Sequence, residues 1–300
     1  LDRGEGIVVL LYNVVHSLYF MEILVFSRFS INAKRSLATG WMIAVFTTLI
    51  IAVWEITTDN HLYSLIKHEG DMIMNVNGVA VPRKFAAVTF YNYNEYVTFL
   101  CFAMPFLLYG LMDNTFKGVK KYIVPVVIIV LSIVSVLYNG SRGGLVSMSL
   151  MLLIFLLLQP KNKYTISIVL FLTVAVGYAI YYFRSTILTT ILIRSSGGSL
   201  LDGSSRFPIW LEMFKVFLST YGLGTGAGGL ESAMRLVSFS ITAPHNIFLE
   251  VLVQFGILIF IFFTVFILRM FINALREHDY KIKIVLYSST LALPFYGIIN

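Results

Sequence analysis

Apolar runs of about 20 residues follow one another along nearly the whole chain, and each can cross about 30 Å of hydrocarbon as a helix. Hydrophobic residues make up 58% of the 300 residues and charged residues 12%, a balance that excludes an ordinary soluble domain. The stretches 122–137 and 150–158 are apolar on every face, whereas barrel strands alternate in polarity over about ten residues. The expected fold class is therefore all-α, a polytopic membrane helix bundle.

Spanning segments are expected at 7–27, 37–56, 89–110, 122–140, 143–159, 164–183, 246–268 and 283–300, giving about eight transmembrane helices. Four short loops then fall on one side. They carry Arg28, Lys34 and Arg35; Lys117, Lys120 and Lys121; Lys161 and Lys163; and Arg269, Arg276, Lys281 and Lys283. These are more than half of the 22 Lys and Arg, so the positive-inside rule makes that side cytoplasmic. The opposite, extracytoplasmic side receives a loop at 57–88, the turn 138–144 and the longest non-spanning stretch, 184–245. Within that stretch 207–219 has helical apolar spacing with Pro208 at a helix start, which suits a helix along the membrane face or a re-entrant piece. The chain reads as one integral membrane domain, 1–300. It starts at Leu1 and stops inside an apolar run, as a piece of a longer protein would, and no signal peptide is judged.

The single cysteine, Cys101, forms no internal disulfide, and no Cys/His/acid cluster suggests a metal, so no cofactor is expected. The net charge of +7 is spread as loop charges of a membrane protein, and no nucleic-acid partner is expected.

Three residues are candidates to carry chemistry on the expected outer side. His245 opens the apolar run 247–268, and an ionisable group where a membrane helix meets water marks a path or a reaction centre. Arg142 lies in a turn between two spans, and Arg206 follows a Ser/Gly loop. The arginine fork stays charged and grips two phosphate oxygens at once, while histidine exchanges a proton near neutral pH. Taken singly, each also has a plain reading: Arg142 as a cation at a helix C-terminus, Arg206 as a solvated loop charge, His245 as a helix-entry donor. Together they suit a lipid-linked diphosphate.

Asn92, Asn94 and Glu95 open another span, where they either meet sugar hydroxyls or tie helices together. Glu22, Glu55 and Glu250 are acids in or near apolar runs. Glu250 lies about 140° round the helix from His245, which disfavours direct pairing. The run Gly224-Thr225-Gly226-Ala227-Gly228-Gly229 formally fits a dinucleotide motif, but no βαβ unit surrounds it. Its glycines allow a sharp turn or a close approach to substrate, or form a connector.

In order along the chain come Asn92 and Asn94, then Ser141-Arg142-Gly143, then Ser205, Arg206 and Trp210, then the glycines 222–226, then His245, Asn246 and Glu250. This set resembles the O-antigen ligase and O-antigen polymerase superfamily, which includes polymerases of teichuronic acid and other envelope polysaccharides; the resemblance covers about 85–270. It implies a metal-free multi-helix glycosyltransferase of the bacterial cytoplasmic (inner) membrane, with its active site on the extracytoplasmic face. The donor would be an undecaprenyl-diphosphate-linked glycan, and the acceptor lipid A core or the sugar end of another lipid-linked unit. By the same resemblance His245 is catalytic and Arg142 and Arg206 bind the diphosphate, with Asn92, Asn94, Ser141, Asn246 and Glu250 as glycan or supporting contacts. Polymerase is preferred to ligase as the wider use of this scaffold. The alternative is a transporter or flippase of lipid-linked oligosaccharide; a third reading is a structural subunit whose arginines bind anionic membrane lipids.

Overall fold

A computed structural model describes residues 3–62, 73–76, 79–82, 85–90, 93–113, 120–160, 174, 177, 181, 206–236 and 246–296. The first helix, α1 (Arg3–Val25), runs through a short 3-10 turn into α2 (Ile31–Thr58). Ser30 starts α2 by accepting a hydrogen bond from the Ala33 amide (3.2 Å), and Asp59 ends it in the left-handed conformation. Next come α3 (Tyr93–Met112), α4 (Lys120–Tyr138) and α5 (Arg142–Leu158). The chain continues with α6 (Arg206–Ser219), α7 (Gly229–Leu236), α8 (Ile247–Arg276), α9 (Tyr280–Leu291) and α10 (Leu293–Tyr296).

The regular elements among the described residues are helices apart from one feature absent from the all-α reading. An antiparallel hairpin, β1 (Ile73–Val76) and β2 (Val79–Pro82), pairs Ile73 with Pro82 and Val76 with Val79 inside the expected outer loop. Alternation over so few residues is too short a signal to separate from loop. By length and composition α2, α3 and α8 can cross a membrane, and 122–138 and 142–158 are shorter apolar helices. The expected span 164–183 lies outside the described residues except for Val174, Gly177 and Tyr181, which are helical.

Two boundaries differ from expectation. The loop assigned to 269–283 shrinks to 277–279, because α8 runs on to Arg276 and carries Arg269 within it. The last span, expected at 283–300, starts at Tyr280 and bends at Ala292, two residues before Pro294, whose ring cannot continue a helix.

The middle of the bundle is α3, of which 83% of the apolar window is buried. It packs against α2, α4, α5 and α9. Trp41 stacks on Phe106 (5.4 Å between centroids), and Tyr19 donates a hydrogen bond to the Phe102 carbonyl (2.9 Å), which ties α1 to the same helix. A second, smaller core joins Ile209, Met213 and Phe217 of α6, Leu230 and Met234 of α7, and Val253 of α8. Helix α8 therefore bridges two cores, since Met270 and Ala274 of its far half belong to the main one. Its outer side exposes Leu258, Ile261, Phe262, Val265 and Leu268, a stripe fitted to lipid and not to water.

One end of the bundle is set by Asp113, just past α3 and almost wholly buried. Its two carboxylate oxygens accept from Arg35 Nε and Lys281 Nζ, both at 2.7 Å, so that a single acid joins α2, α3 and α9. Replacing Asp113 with Leu is expected to lower the melting temperature in lipid nanodiscs markedly, because Lys281 loses its buried partner, whereas Arg35→Gln costs less since Arg35 is half exposed.

Candidate functional site

At the opposite end, the turn between α4 and α5 is built by Asn139, Gly140 and Ser141. Ser141, buried, is the N-cap of α5, and its Oγ accepts from the Gly144 amide at 3.4 Å. Arg142 is thus the first residue of α5 and is exposed. This removes the reading of Arg142 as a cation stabilising a helix C-terminus. It sits at the positive end of the helix dipole, where a lone cation is disfavoured and an anion welcomed.

The second arginine, Arg206, is the first described residue of α6, so the spacing that predicted a helix with Pro208 in its first turn holds. Trp210 is half-buried on the same helix. Helix α6 packs on α7 and on α8, bringing it to the helix that Asn246 opens.

The glycine-rich stretch is where the structure says most. Inside α8, Gly256 has φ 78° and ψ 177°, so the helix breaks there. The loop after α6 fills the break: the amides of Thr225 and Gly226 donate to the Val253 and Gln254 carbonyls (2.9 and 2.8 Å), and Ile257 donates back to Gly222 (2.9 Å). A Cβ on Gly224 would lie 2.6 Å from the Gln254 carbonyl oxygen, and one on Gly256 would lie 2.5 Å from that of Leu223. Of the glycine run 224–229, Gly224 makes a close approach, and what it approaches is the backbone of α8, while a Cβ on Gly226 would meet nothing within 4 Å.

Residues 127–264, just under half of the chain, match the family model described as O-antigen ligase. This stretch belongs to the O-antigen ligase and polymerase superfamily. No curated protein and no solved structure matches the chain. The match and the long apolar helices together support a membrane protein with an O-antigen-ligase-like segment.

The O-antigen ligase segment contains Ser141, Arg142, Arg206, His245, Asn246 and Glu250; Asn92 and Asn94 precede it. His245 and Asn92 lie outside the described residues, as does the side chain of Arg206. Asn246 is the N-cap of α8, its Oδ1 accepting from the Phe248 and Leu249 amides (3.0 and 3.2 Å). Glu250, one turn on, accepts from Gln254 Nε2 at 3.0 Å, and Gln254 Oε1 accepts from the Gly228 amide at 3.1 Å. Glu250 is therefore wired to the glycine loop. Asn94 sits half-buried in the first turn of α3.

Helix α8 ends beside α9, where Lys281 meets Asp113, and its first part folds back at the Gly256 break, so that Phe248 meets Phe263 (5.7 Å between ring centroids). Arg142 stands at the end opposite Asp113: the neighbouring Asn139 bonds Ala86, and the next amides bond Glu55, about 30 Å along α2 from Arg35.

Two residues given no site role by the sequence reading, Glu55 and Asn139, emerge here. Glu55, 1% exposed, accepts with Oε2 from the Ala87 and Val88 amides, both at 2.8 Å. Asn139, equally buried, accepts from the Ala86 amide (2.7 Å) and donates to the Ala86 carbonyl (2.9 Å). A carboxylate inside the apolar run of α2 was the available signal.

Gly256→Ala is expected to destabilise the fold by about 3 kcal/mol, from left-handed strain plus the clash with Leu223, and to separate the glycine loop from α8. Hydrogen exchange at the Thr225 and Gly226 amides checks this, and protection equal to the parent would contradict it.

Proposed function

We propose that the chain is a membrane glycosyltransferase that moves a glycan from undecaprenyl diphosphate to a sugar acceptor in surface polysaccharide biosynthesis, as a polymerase in preference to a ligase. The observation that carries this reading is the exposed Arg142 at the capped N-terminus of α5, within the O-antigen ligase segment. Placing a cation at that position costs energy unless an anion joins it. The diphosphate is an anion of the right kind, and the guanidinium fork takes two of its oxygens. Arg206 is its partner in this reading.

The reaction is displacement at the anomeric carbon. An acceptor hydroxyl attacks, the glycosidic bond to phosphate breaks, and the lipid diphosphate leaves with the electron pair. Negative charge grows on the leaving oxygen, so fixed cations there stabilise the transition state more than the ground state. His245, two residues before the first helical position of α8, engages the acceptor hydroxyl. Asn246 fixes the helix start beside it, and Glu250 with Gln254 holds the glycine loop that follows α6.

About eight spanning helices, with the Asp113 end cytoplasmic and the Arg142 end outside, complete the reading. The concentration of Lys34, Arg35 and Lys281 near Asp113 supports that sidedness under the positive-inside rule. The stretch 184–245 is then the outer loop region of a single membrane domain.

A transporter of lipid-linked oligosaccharide has one observation on its side, the broken helix α8, since such proteins bind at unwound helices. Here the Val253 and Gln254 carbonyls freed by the break are occupied by Thr225 and Gly226, which argues against their serving a substrate.

In the source cell, Arg142→Ala, Arg206→Ala and His245→Ala are each expected to lower polymer formation about 100-fold or more, while the proteins remain in the membrane. Undiminished polymer sinks the glycosyltransferase reading. The lipid-linked glycan that accumulates separates the two reactions: single repeat units mark a blocked polymerase, long lipid-linked chains a blocked ligase.

A further inference from the structure

We propose that Glu55 is a positioning residue for Arg142, acting through the 86–88 loop and Asn139. The proposal rests on the reading of Arg142 as the group that receives the diphosphate, and it extends the site to a part of the chain that precedes the O-antigen ligase segment.

The chain of contacts is continuous. Glu55 projects from the last turn of α2 and holds the amides of Ala87 and Val88 with one oxygen. Asn139 grips Ala86 by both its amide and its carbonyl from the end of α4. Three successive loop residues are thereby clamped between two helices. Val88 has φ 59°, a left-handed conformation that a β-branched residue keeps only where its surroundings hold it. The hydrogen bond from its own amide to Glu55 is such a hold.

Asn139 in turn sets the chain three residues before Arg142. The Gly140 amide bonds the Leu137 carbonyl (3.0 Å), Ser141 caps Gly144, and the Leu145 amide bonds the Ser141 carbonyl (3.0 Å). Gly144 lies so close to α3 that a Cβ would stand 2.4 Å from Val97 Cγ1. The backbone of Arg142 is located from one side by this contact and from the other by Asn139, whose own partner is the loop that Glu55 secures.

His61 completes the setting. It stacks on Phe85 (4.4 Å between centroids, 10° apart), and its Nδ1 lies 3.4 Å from Glu55 Oε1, at ion-pair distance but outside hydrogen-bond geometry. A carboxylate so placed is oriented by a neighbour on each oxygen. Shortening it by one methylene withdraws the acceptor from both amides, while an amide of equal length keeps an oxygen in place.

The test uses the full chain in lipid nanodiscs with Glu55→Gln, Glu55→Asp and Glu55→Leu. A nitroxide at Arg142→Cys reports local motion; Cys101 is fully buried and stays unlabelled. Binding of undecaprenyl diphosphate is measured on the unlabelled variants. The label is expected to stay restrained in Glu55→Gln and to loosen in Glu55→Asp and Glu55→Leu. Binding is expected to hold in the Gln variant and to weaken about tenfold in the Asp and Leu variants, with no further loss when either is combined with Arg142→Ala. Folded Glu55→Asp with unchanged label motion and binding overturns the proposal. So does a Gln variant as loose as Leu, or a Glu55 loss that persists in full on the Arg142→Ala background. If Glu55→Leu does not fold, Glu55→Asp decides. If the label loosens in Glu55→Asp but Arg142→Ala leaves binding intact, the positioning stands and the diphosphate reading falls.

Discussion

A peptide group at hydrocarbon depth has no water to turn to, so every departure from helical hydrogen bonding must be closed by another part of the protein, at several kcal/mol if it is not. Among the described residues two buried departures, one inside α8 and one in the loop at 86–88, are closed by groups distant in sequence. At Gly256 the carbonyls released by the helix break accept amides from the loop after α6. At 86–88 the amides of a non-helical loop are taken by the side chains of Glu55 and Asn139. The first closure uses backbone against backbone, and only residues without a Cβ let the two chains approach. The second uses side chains, and only a carboxylate or carboxamide of the right length reaches.

These closures convert breaks into fixed points, and the ends of the bundle follow. Asp113 unites α2, α3 and α9 at one end. Glu55 and Asn139 unite α2, α4 and the 86–88 loop at the other, so α2 carries a buried acid contact near each terminus. A helix pinned at both ends cannot slide along its neighbours. That matters more in a membrane than in water, because apolar helix faces gain nothing from being next to each other instead of lipid. The polar contacts and the close packing of α3 supply the register that hydrophobicity leaves undetermined.

Much of this was legible in the sequence at the level of elements. Long apolar runs announced α2, α3 and α8, Pro208 announced the start of α6, and the superfamily resemblance drawn from the ordered motifs agrees with the O-antigen ligase match over 127–264. What the apolar pattern hid was where a helix is interrupted. Gly256 sits in a run hydrophobic on both flanks, and hydropathy sums over residues without sensing the backbone. The orientation of Arg142 was hidden for a related reason: a turn residue belongs to the end of one helix or the start of the next according to which residue caps, and Ser141, not Arg142, is the cap. Glu55 was visible as an acid in an apolar run, but its partners are backbone amides some 30 residues away, and amides leave no mark in a sequence.

The start of α5 carries an electrostatic conflict that bears on how such a site works. Arg142 and the helix dipole both present positive charge to the same space, a repulsion of about 0.3–1 kcal/mol when that space is empty. A dianionic phosphate arriving there is attracted by both, and the same arrangement that penalises the resting protein favours the complex. In a displacement that pushes charge onto the leaving diphosphate, the attraction grows as the glycosidic bond breaks, so it falls on the transition state and not on the donor alone. The gain holds only if the guanidinium does not have to move to follow the charge, since reorganisation at that moment returns what preorganisation supplied. Under the proposed reading, the rigid turn before Arg142 and the glycine contact behind it meet that condition, and this links a group as remote in sequence as Glu55 to the chemistry proposed for Arg142.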